Sequence, residues 1–359
     1  MNSKIKYFIS LMLLWVFGAN YCYAQFLEKG VSDIDSNYIV NYEDIFTPRF
    51  VIITKKNEFT LTNNEADTTG QKGNALVFKP NDPLNIGLGF TYKWLGINMA
   101  FKLPFLNNDD DIYGKTRRFD LSTHLYGRKL VFDISFQWYK GYYLANPQGI
   151  VPGWNVGDAF PSRGDLRVTS FGGAGYYIFR HKKFSYRAAF TFNERQKKSA
   201  GSLVLGGGFS WYFIRADSSL TSVKYNLDMG EMNVEKANLG NYYSVGGYAH
   251  TFVVKYFFLS LTLGLGVGVS SERIFIEDNS EKFKQVGLSL VSVFRASVGY
   301  NNDKFYVGLS MFNNGFALSP VNNIGTTYSF SSVNIYVGYR FYNVFKKKEP
   351  LPWLWDLKI

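Results

Sequence analysis

The sequence predicts an all-β fold: a single transmembrane, up-and-down antiparallel β-barrel of about 14 strands, with about 12 possible. Three observations predict this class. Many segments alternate between apolar and small or polar residues, short turns alternate with long polar segments, and aromatic residues make up 18% of the chain. A mean hydropathy of −0.12 argues against a membrane protein built from apolar helices.

The alternation is clearest in "LSLTLGLGVGVS", residues 259–270, where large aliphatics occupy every odd position and small or hydroxyl residues every even one. Successive side chains of a strand point to opposite faces, so one face is aliphatic and the other almost bare. Similar segments are residues 97–103, 130–138, 184–192 and 332–341. A soluble sandwich would carry more charge on its water-facing side. A closed sheet, in contrast, satisfies every backbone group in lipid, so these segments favour a barrel wall.

Connection lengths give a second test, because outer-membrane barrels alternate short periplasmic turns with longer outer loops. The short turns are expected at residues 93–94, 126–129, 180–183, 257–258 and 301–303. The long polar segments are residues 104–116, 140–164, 193–201, 271–282 and 314–327. Strict alternation also requires two weaker strands, at residues 49–62 and 220–228. Without either of them in the wall, the number of strands falls to about 12.

The N-terminus predicts export. Lys4 and Lys6 precede an apolar run at residues 7–19, and "CYA" before Gln25 fits a signal-peptidase site. Residues 1–24 are therefore expected to be a cleaved signal peptide that carries away Cys22, the only cysteine. The remaining divisions are a periplasmic segment (25–48), the barrel (49–341) and a periplasmic tail (342–359).

Three segments carry a resemblance to a known family: "GFTYKWLGINMAFKLPF", "FQWYKGYYLANP" and "FSYRAAFTFNERQKKSAGS". They resemble a family of Gram-negative outer-membrane β-barrels of unknown function, over about residues 49–341. The resemblance implies a barrel in the cell outer membrane and implies no reaction or substrate. "VGYRF", residues 337–341, is also similar to the C-terminal signal that the barrel-assembly machinery recognises, which makes that machinery an expected partner during biogenesis.

Alternation places a set of charged residues in the lumen, and these are the candidate site residues. They are Lys93, Lys102, Asp120, Asp133, Arg167, Arg187, Arg295 and Arg340. Bases outnumber acids in this set, and charges in a low-dielectric interior persist only when they are paired or wet. The sequence leaves two interpretations open: an aqueous path that favours anions, or a plug of ion pairs across the lumen.

Other motifs give weaker signals. His124 shares a strand face with Ser122 and Asp120, but such neighbours rarely form a Ser-His pair unaided, so no catalytic residue is expected. The acidic run at residues 107–111 lacks the ligand spacing of a Ca²⁺ loop, and the glycines at 264, 266 and 268 lack a nucleotide-binding context. We therefore expect no metal and no cofactor. The basic segment "NERQKKSAG", residues 193–201, is a candidate contact for lipopolysaccharide phosphates.

The leading functional hypothesis is a channel or uptake protein for a small solute, anionic if the basic lumen is open. The alternative is a structural or interaction barrel of the envelope with a plugged lumen. An envelope lipid hydrolase is a third hypothesis, and the protein is otherwise not expected to be an enzyme. The full sequence has a net charge of +11, and a basic balance on an exported chain indicates anionic lipid and lipopolysaccharide as partners rather than nucleic acid.

Overall fold

The computed structural model describes residues 34–63, 75–82, 84–92, 95–103, 108–220, 234–276, 282–321 and 324–344. Within them it has two short helices, α1 (Asp110–Tyr113) and α2 (Tyr186–Phe190). The strands are β1 (Ile39–Asn41), β2 (Thr47–Asn63), β3 (Ala75–Lys79), β4 (Asn85–Tyr92), β5 (Leu95–Lys102), β6 (Arg117–Tyr126), β7 (Leu130–Leu144), β8 (Ser162–Ile178), β9 (Glu194–Gln196), β10 (Ala200–Arg215), β11 (Val234–Val254), β12 (Phe257–Ile276), β13 (Lys282–Asn301), β14 (Phe305–Leu318) and β15 (Ile324–Tyr339). The predicted signal peptide, the predicted strand after Leu220 and the tail from residue 345 lie outside the described residues.

The strands form a closed antiparallel barrel, which confirms the predicted fold class. Ten strands pair in a ring: β2, β3, β7, β8 and β10 to β15. The ring closes where β15 pairs with β2, in a register that runs from Ile324↔Asn63 to Gly338↔Arg49. Antiparallel pairing of the last strand with the first closes this ring, as a sheet in lipid requires.

Three further strands are attached to the ring. β4 pairs with residues 47–53 of β2 and β3 pairs with residues 59–62, on the same side, so β3 and β4 are successive neighbours along one side of β2. β5 pairs with β4, and β6 pairs with β7. The described residues thus give a closed ring of ten strands with three strands outside it, fewer than the 14 or 12 strands that the sequence predicts.

The exterior of the wall is apolar, and on β12 it is aliphatic. On β12 the odd positions face outward, and Leu265 is 77% exposed. The even positions face the lumen, where a side chain on Gly264 would press against Val245 and Val293. Glycine therefore lets the buried valines of the neighbouring strands pack close to the β12 backbone, which explains the bare face of residues 259–270.

The lumen contains a plug, which we define as residues 34–46 and 180–199. It lies at the turn end of the barrel, where residues 127–129, 255–256 and 302–304 join neighbouring strands; the opposite end is the loop end. Helix α2 is buried over its whole length, and β1 and β9 pair as a separate two-stranded sheet. Among the described residues, neither helix is long enough to cross a membrane.

Contacts with the inward faces of several strands show that helix α2 lies inside the ring. The Tyr186 and Thr262 hydroxyls are 2.8 Å apart, Ser297 Oγ donates to the Ala189 carbonyl at 2.7 Å, and the Phe190 ring packs 5.1 Å from that of Phe312. The prediction of a wall strand at residues 184–192 is therefore wrong. Residues 184–190 are buried on both alternating faces, so the alternation of this segment does not mark a lipid-facing strand.

Candidate functional site in the barrel lumen

The plug is held at the turn end by four charges, Glu43, Arg128, Arg187 and Glu194, which we call the mouth cluster. Arg187 pairs with Glu43, and its Nη1 lies 3.4 Å from Glu194 Oε1. Arg128 Nε donates to Glu194 Oε1 at 3.0 Å, while its Nη2 is 3.7 Å from Glu43. The two bases and two acids balance, so the cluster is neutral as a unit.

The mouth cluster favours the ionised form of Glu43. Burial raises the pKa of the Glu43 carboxyl, but the positive charge of Arg187, a hydrogen bond from Asn41 and the charge of Arg128 outweigh it. The pKa of Glu43 therefore lies below its ordinary value of 4.5. Glu194 also accepts a hydrogen bond from Ser185 Oγ at 2.5 Å, so its carboxylate is satisfied inside the plug.

Arg340 fastens the plug to the end of β15. Its Nη2 donates to the Phe192 carbonyl at 2.6 Å and to Asn301 Oδ1 at 2.9 Å. Its guanidinium lies 3.9 Å from the centre of the Tyr42 ring, a cation–π contact. Arg340 is 1% exposed, so this predicted lumen residue joins both parts of the plug to the wall.

A second cluster lies deeper in the lumen, around Asp133. Arg295 Nη2 donates to Asp133 Oδ2 at 2.5 Å, and His124 Nδ1 lies 2.7 Å from Asp133 Oδ1. Arg295 Nη1 also donates to the Tyr126 hydroxyl at 3.2 Å, and its guanidinium is 5.0 Å from the centre of the Tyr176 ring. The pair Asp133–Arg295 thus spans the lumen from β7 to β13.

A third cluster surrounds Asp120 toward the loop end. Lys55 Nζ and the Tyr139 hydroxyl each donate to this carboxylate at 2.6 Å, and Gln137 donates at 2.9 Å. Ser122 Oγ also donates to Asp120, at 2.7 Å. Both predicted lumen acids therefore have cationic partners on other strands of the barrel.

This geometry separates the groups that a hydrolase would need together. The Ser122 hydroxyl is engaged by Asp120, whereas His124 faces Asp133 and stacks on Phe312 with ring centres 4.6 Å apart. The acidic loop is likewise engaged, because Asn81 Nδ2 donates to Asp109 and Asp110. Among the described residues, no group of three or more His, Cys, Asp or Glu side chains is placed to hold a metal ion.

Three of the predicted lumen charges lie elsewhere or outside the described residues. Arg167 is exposed on the outward face of β8, since its neighbours Leu166 and Val168 are the buried ones, so its lumen assignment is wrong. The Lys102 side chain is 41% exposed at the end of β5, 3.9 Å from Asp110, and is not enclosed by the lumen. Lys93 is outside the described residues.

Arg187 is in the lumen, but on the plug helix rather than on a wall strand. Its partners Glu43 and Glu194, and also Arg128, were missed from the sequence. Glu194 belongs to the basic segment that we expected to contact lipopolysaccharide. That expectation is wrong for Glu194 and Gln196, which are buried in the plug. The only sequence signal for this buried position was that Glu194 is an acid inside an otherwise basic segment.

Little free volume remains in the described lumen. One cavity of about 10 Å³ lies beside Tyr186 and Arg295, and a second of about 10 Å³ lies between Tyr212, Asn241 and Tyr328. A volume of this size is close to the least that holds one water molecule. Each of these two cavities thus leaves room for little more than a single water molecule between the plug, the wall and the polar clusters.

A closed antiparallel barrel with an apolar exterior and a plugged, ion-paired interior defines the class of this protein as an outer-membrane β-barrel. Within that class, the chain belongs to the family described as Domain of unknown function (DUF4421), which matches residues 33–341. Among proteins of curated function, none matches the chain significantly.

Solved structures give likenesses at low identity. The outer membrane protease OmpT from Escherichia coli is 11% identical, with 84% of this chain and 98% of that chain covered and a TM-score of 0.36. The translocator domain of the autotransporter NalP from Neisseria meningitidis is 12% identical, with 89% and 95% covered and a TM-score of 0.31. Neither likeness carries information about function.

Proposed function

We propose that this protein is exported to the outer membrane of a Gram-negative cell and acts there as a structural or interaction barrel with a closed lumen. The turn end would face the periplasm, as short turns do in such barrels. A partner would then meet the protein at its loops or its outer surface. The proposal includes no catalytic step and no cofactor.

One observation carries this proposal: the plug occupies the turn end and is tied to the wall by both ion pairs and aromatic packing. Glu194 is buried in an ion pair with Arg128, Arg340 is buried with its guanidinium donating to Asn301 Oδ1, and the Phe192 ring stacks on Tyr306 at 4.3 Å. An aqueous path through these contacts would require several buried partners to separate together. Leaving one member of such a pair unpaired is costly, which supports a closed resting state.

Electrical recording tests the closed state. The full chain, inserted in planar bilayers, is expected to give no current steps, while vesicle flotation after an alkaline wash shows that the protein is inserted. Reproducible single-channel steps from the wild-type protein would contradict the closed lumen and favour an open pore.

A second candidate function, a channel that opens when the plug moves, is favoured by the ionic nature of the mouth cluster. Ion pairs respond to changes of charge, whereas a purely apolar plug would not. In Glu43→Gln/Glu194→Gln, the bases Arg128 and Arg187 lose their acids. A channel predicts anion-selective current from this variant, read as a reversal potential in a salt gradient. A structural barrel predicts continued silence.

A further inference from the structure

The outward face of the wall carries a row of basic side chains near the loop end, which we call the collar. One such residue lies on each of seven consecutive strands, from β6 to β13 without the plug strand β9: Arg117, Lys140, Arg167, Arg215, Lys236, Arg273 and Lys284. This row contains Arg167, the residue that the sequence had assigned to the lumen. None of the other six was a candidate site residue.

The strand register aligns these residues into a continuous row. The direct cross-strand partners are Arg117↔Lys140, Lys140↔Arg167, Arg167↔Arg215, Arg215↔Lys236 and Arg273↔Lys284. Arg273 is opposite Asn238, two residues along β11 from Lys236, so the row continues across the join between β11 and β12. Neighbouring strands are about 4.8 Å apart, and the collar therefore spans roughly 29 Å of the circumference.

The collar lies directly beyond the lipid-facing aromatic residues. Trp138 is two residues below Lys140 on the same face of β7, and Phe213 is two residues below Arg215 on β10. Phe171 is four residues below Arg167 on β8. Aromatic side chains mark the boundary between hydrocarbon and headgroups in membrane barrels. The collar is thus at the depth of the headgroups, on the loop side.

Most of the collar lacks an anionic partner within the part of the chain that the structure describes. Lys236 lies 3.2 Å from Glu235, and Arg215 donates to the Ala237 carbonyl and Asn238. The other five have no carboxylate within ion-pair distance among the described residues. Like charges placed directly opposite each other destabilise a sheet. A row of four such pairs in succession therefore calls for an external anion.

We propose that the collar binds the phosphate groups of phosphorylated glycolipid headgroups, the lipopolysaccharide of the outer leaflet. Arginine binds phosphate oxygens in a bidentate manner, and side chains one strand apart can share a headgroup that carries more than one phosphate. A lipid with a single phosphate would neutralise one base and leave its neighbours in repulsion. This inference rests on the outer-membrane location and not on the closed lumen.

The test compares lipid retention by variants of the full chain, measured by native mass spectrometry in detergent with bis-phosphorylated lipid A as the probe. The collar variant is Arg117→Gln/Arg167→Gln. The matched control is Lys255→Gln/Lys304→Gln, which removes the same charge from exposed turns at the opposite end. Each basic residue near an anionic surface accounts for about five-fold in binding, so the collar variant should bind about 25-fold more weakly. The control should bind as the wild type does.

Two further lipids and a second collar variant complete the test. Monophosphorylated lipid A should bind more weakly than the bis-phosphorylated form, and phosphatidylglycerol more weakly still. If Arg117→Gln/Arg167→Gln does not fold, Arg273→Gln/Lys284→Gln tests the other part of the same row. Unchanged lipid A retention by a folded collar variant would overturn the proposal. So would equal retention of phosphatidylglycerol, which would indicate a general attraction to anionic lipid.

Discussion

At the scale of single residues, the mouth cluster shows how strongly the stability of a buried charge depends on its ion-pair partners. Glu194 is fully buried and contacts both Arg128 and Arg187, while Glu43 contacts the same two bases. Removing one member of a buried ion pair leaves an uncompensated charge, which is strongly destabilising. Removing one acid and one base together keeps the cluster neutral, so single and double substitutions should behave differently.

Arg187→Gln should lower the free energy of unfolding by about 3–5 kcal/mol, because two buried carboxylates would then share Arg128 alone. Urea unfolding in detergent, followed by tryptophan fluorescence, measures this change. Glu43→Gln/Arg187→Gln should be less destabilised than Arg187→Gln, since neutrality returns. A double variant that loses as much stability as the two single variants together would show that these residues act independently.

Glu43 gives the plug a dependence on pH. Its folded-state pKa lies below the ordinary value of 4.5, so its stabilising effect is fully present above that pH and is lost as the pH falls through the folded pKa. The thermal unfolding temperature of the wild type should exceed that of Glu43→Gln at pH 7, and the difference should shrink below pH 4.5. A difference that stays constant down to pH 3 would contradict this linkage.

Alternation predicted the facing of some charges and failed for others, and their depth in the membrane explains the difference. Asp120 and Asp133 lie where the outward face meets hydrocarbon, so a charge there must face inward. Arg167 lies near the loop end of β8, where the outward face meets headgroups and tolerates charge. Depth along a strand is not visible in a two-residue period, and this is why Arg167 was assigned to the wrong face.

At the scale of elements, the wall strands were predictable and the plug was not. Residues 184–192 alternate like a wall strand, yet Phe184, Tyr186, Phe190 and Phe192 are all buried against lumen side chains. Only long-range contacts distinguish the two cases, because helix α2 has five residues and is too short for a helical period to show. The same short length explains why the alternation placed Arg187 on the face of a wall strand.

Phe192 anchors the plug element in a space that Gly308 leaves open. Phe192 has a φ of 60°, a conformation that costs energy for a residue with a side chain, and its ring stacks on Tyr306 at 4.3 Å. A methyl group at Gly308 would overlap this ring. We expect Gly308→Ala to destabilise the barrel by about 1–3 kcal/mol, measured by urea unfolding.

The matched control for this substitution is Gly246→Ala on the outward face of β11. A Cβ atom there would meet only Leu205 Cδ1, at 3.8 Å, which is an ordinary contact. This variant should keep wild-type stability or gain slightly, because alanine lowers the entropy of the unfolded chain. Equal losses from the two variants would mean that the ring of Phe192 does not depend on Gly308.

At the scale of the whole molecule, the plug, the first strand and the last strand meet at one end. The Phe341 amide donates to the Phe46 carbonyl at 2.9 Å, and the Tyr42 hydroxyl donates to Asp303 at 2.6 Å. The loop end, in contrast, carries the long segment at residues 145–161 and the collar. These two ends define an orientation that can be tested in cells.

A protease site inserted at Asn155 should be cut in intact cells, whereas the same site at Asn302 should be protected until the outer membrane is permeabilised. Asn155 is exposed in the long segment between β7 and β8, and Asn302 lies in a short turn. Immunoblots of digested cells measure both. Cleavage at Asn302 in intact cells, with Asn155 protected, would reverse the orientation.

The covalent placement of the plug limits how it can move. Its larger part begins just after β8 ends at Ile178 and finishes just before β10 begins at Ala200, and these two strands are neighbours in the ring. A segment tied at both ends to one side of a barrel cannot be drawn out as a free terminus can. Movement of this larger part must therefore be a swing about two fixed points, after which the same residues return to the same position in the lumen. Such a motion is reversible without unfolding the wall. The plug is attached at β8 and β10, so a covalent link from it to β14 or β15, on the opposite side of the ring, would prevent the motion.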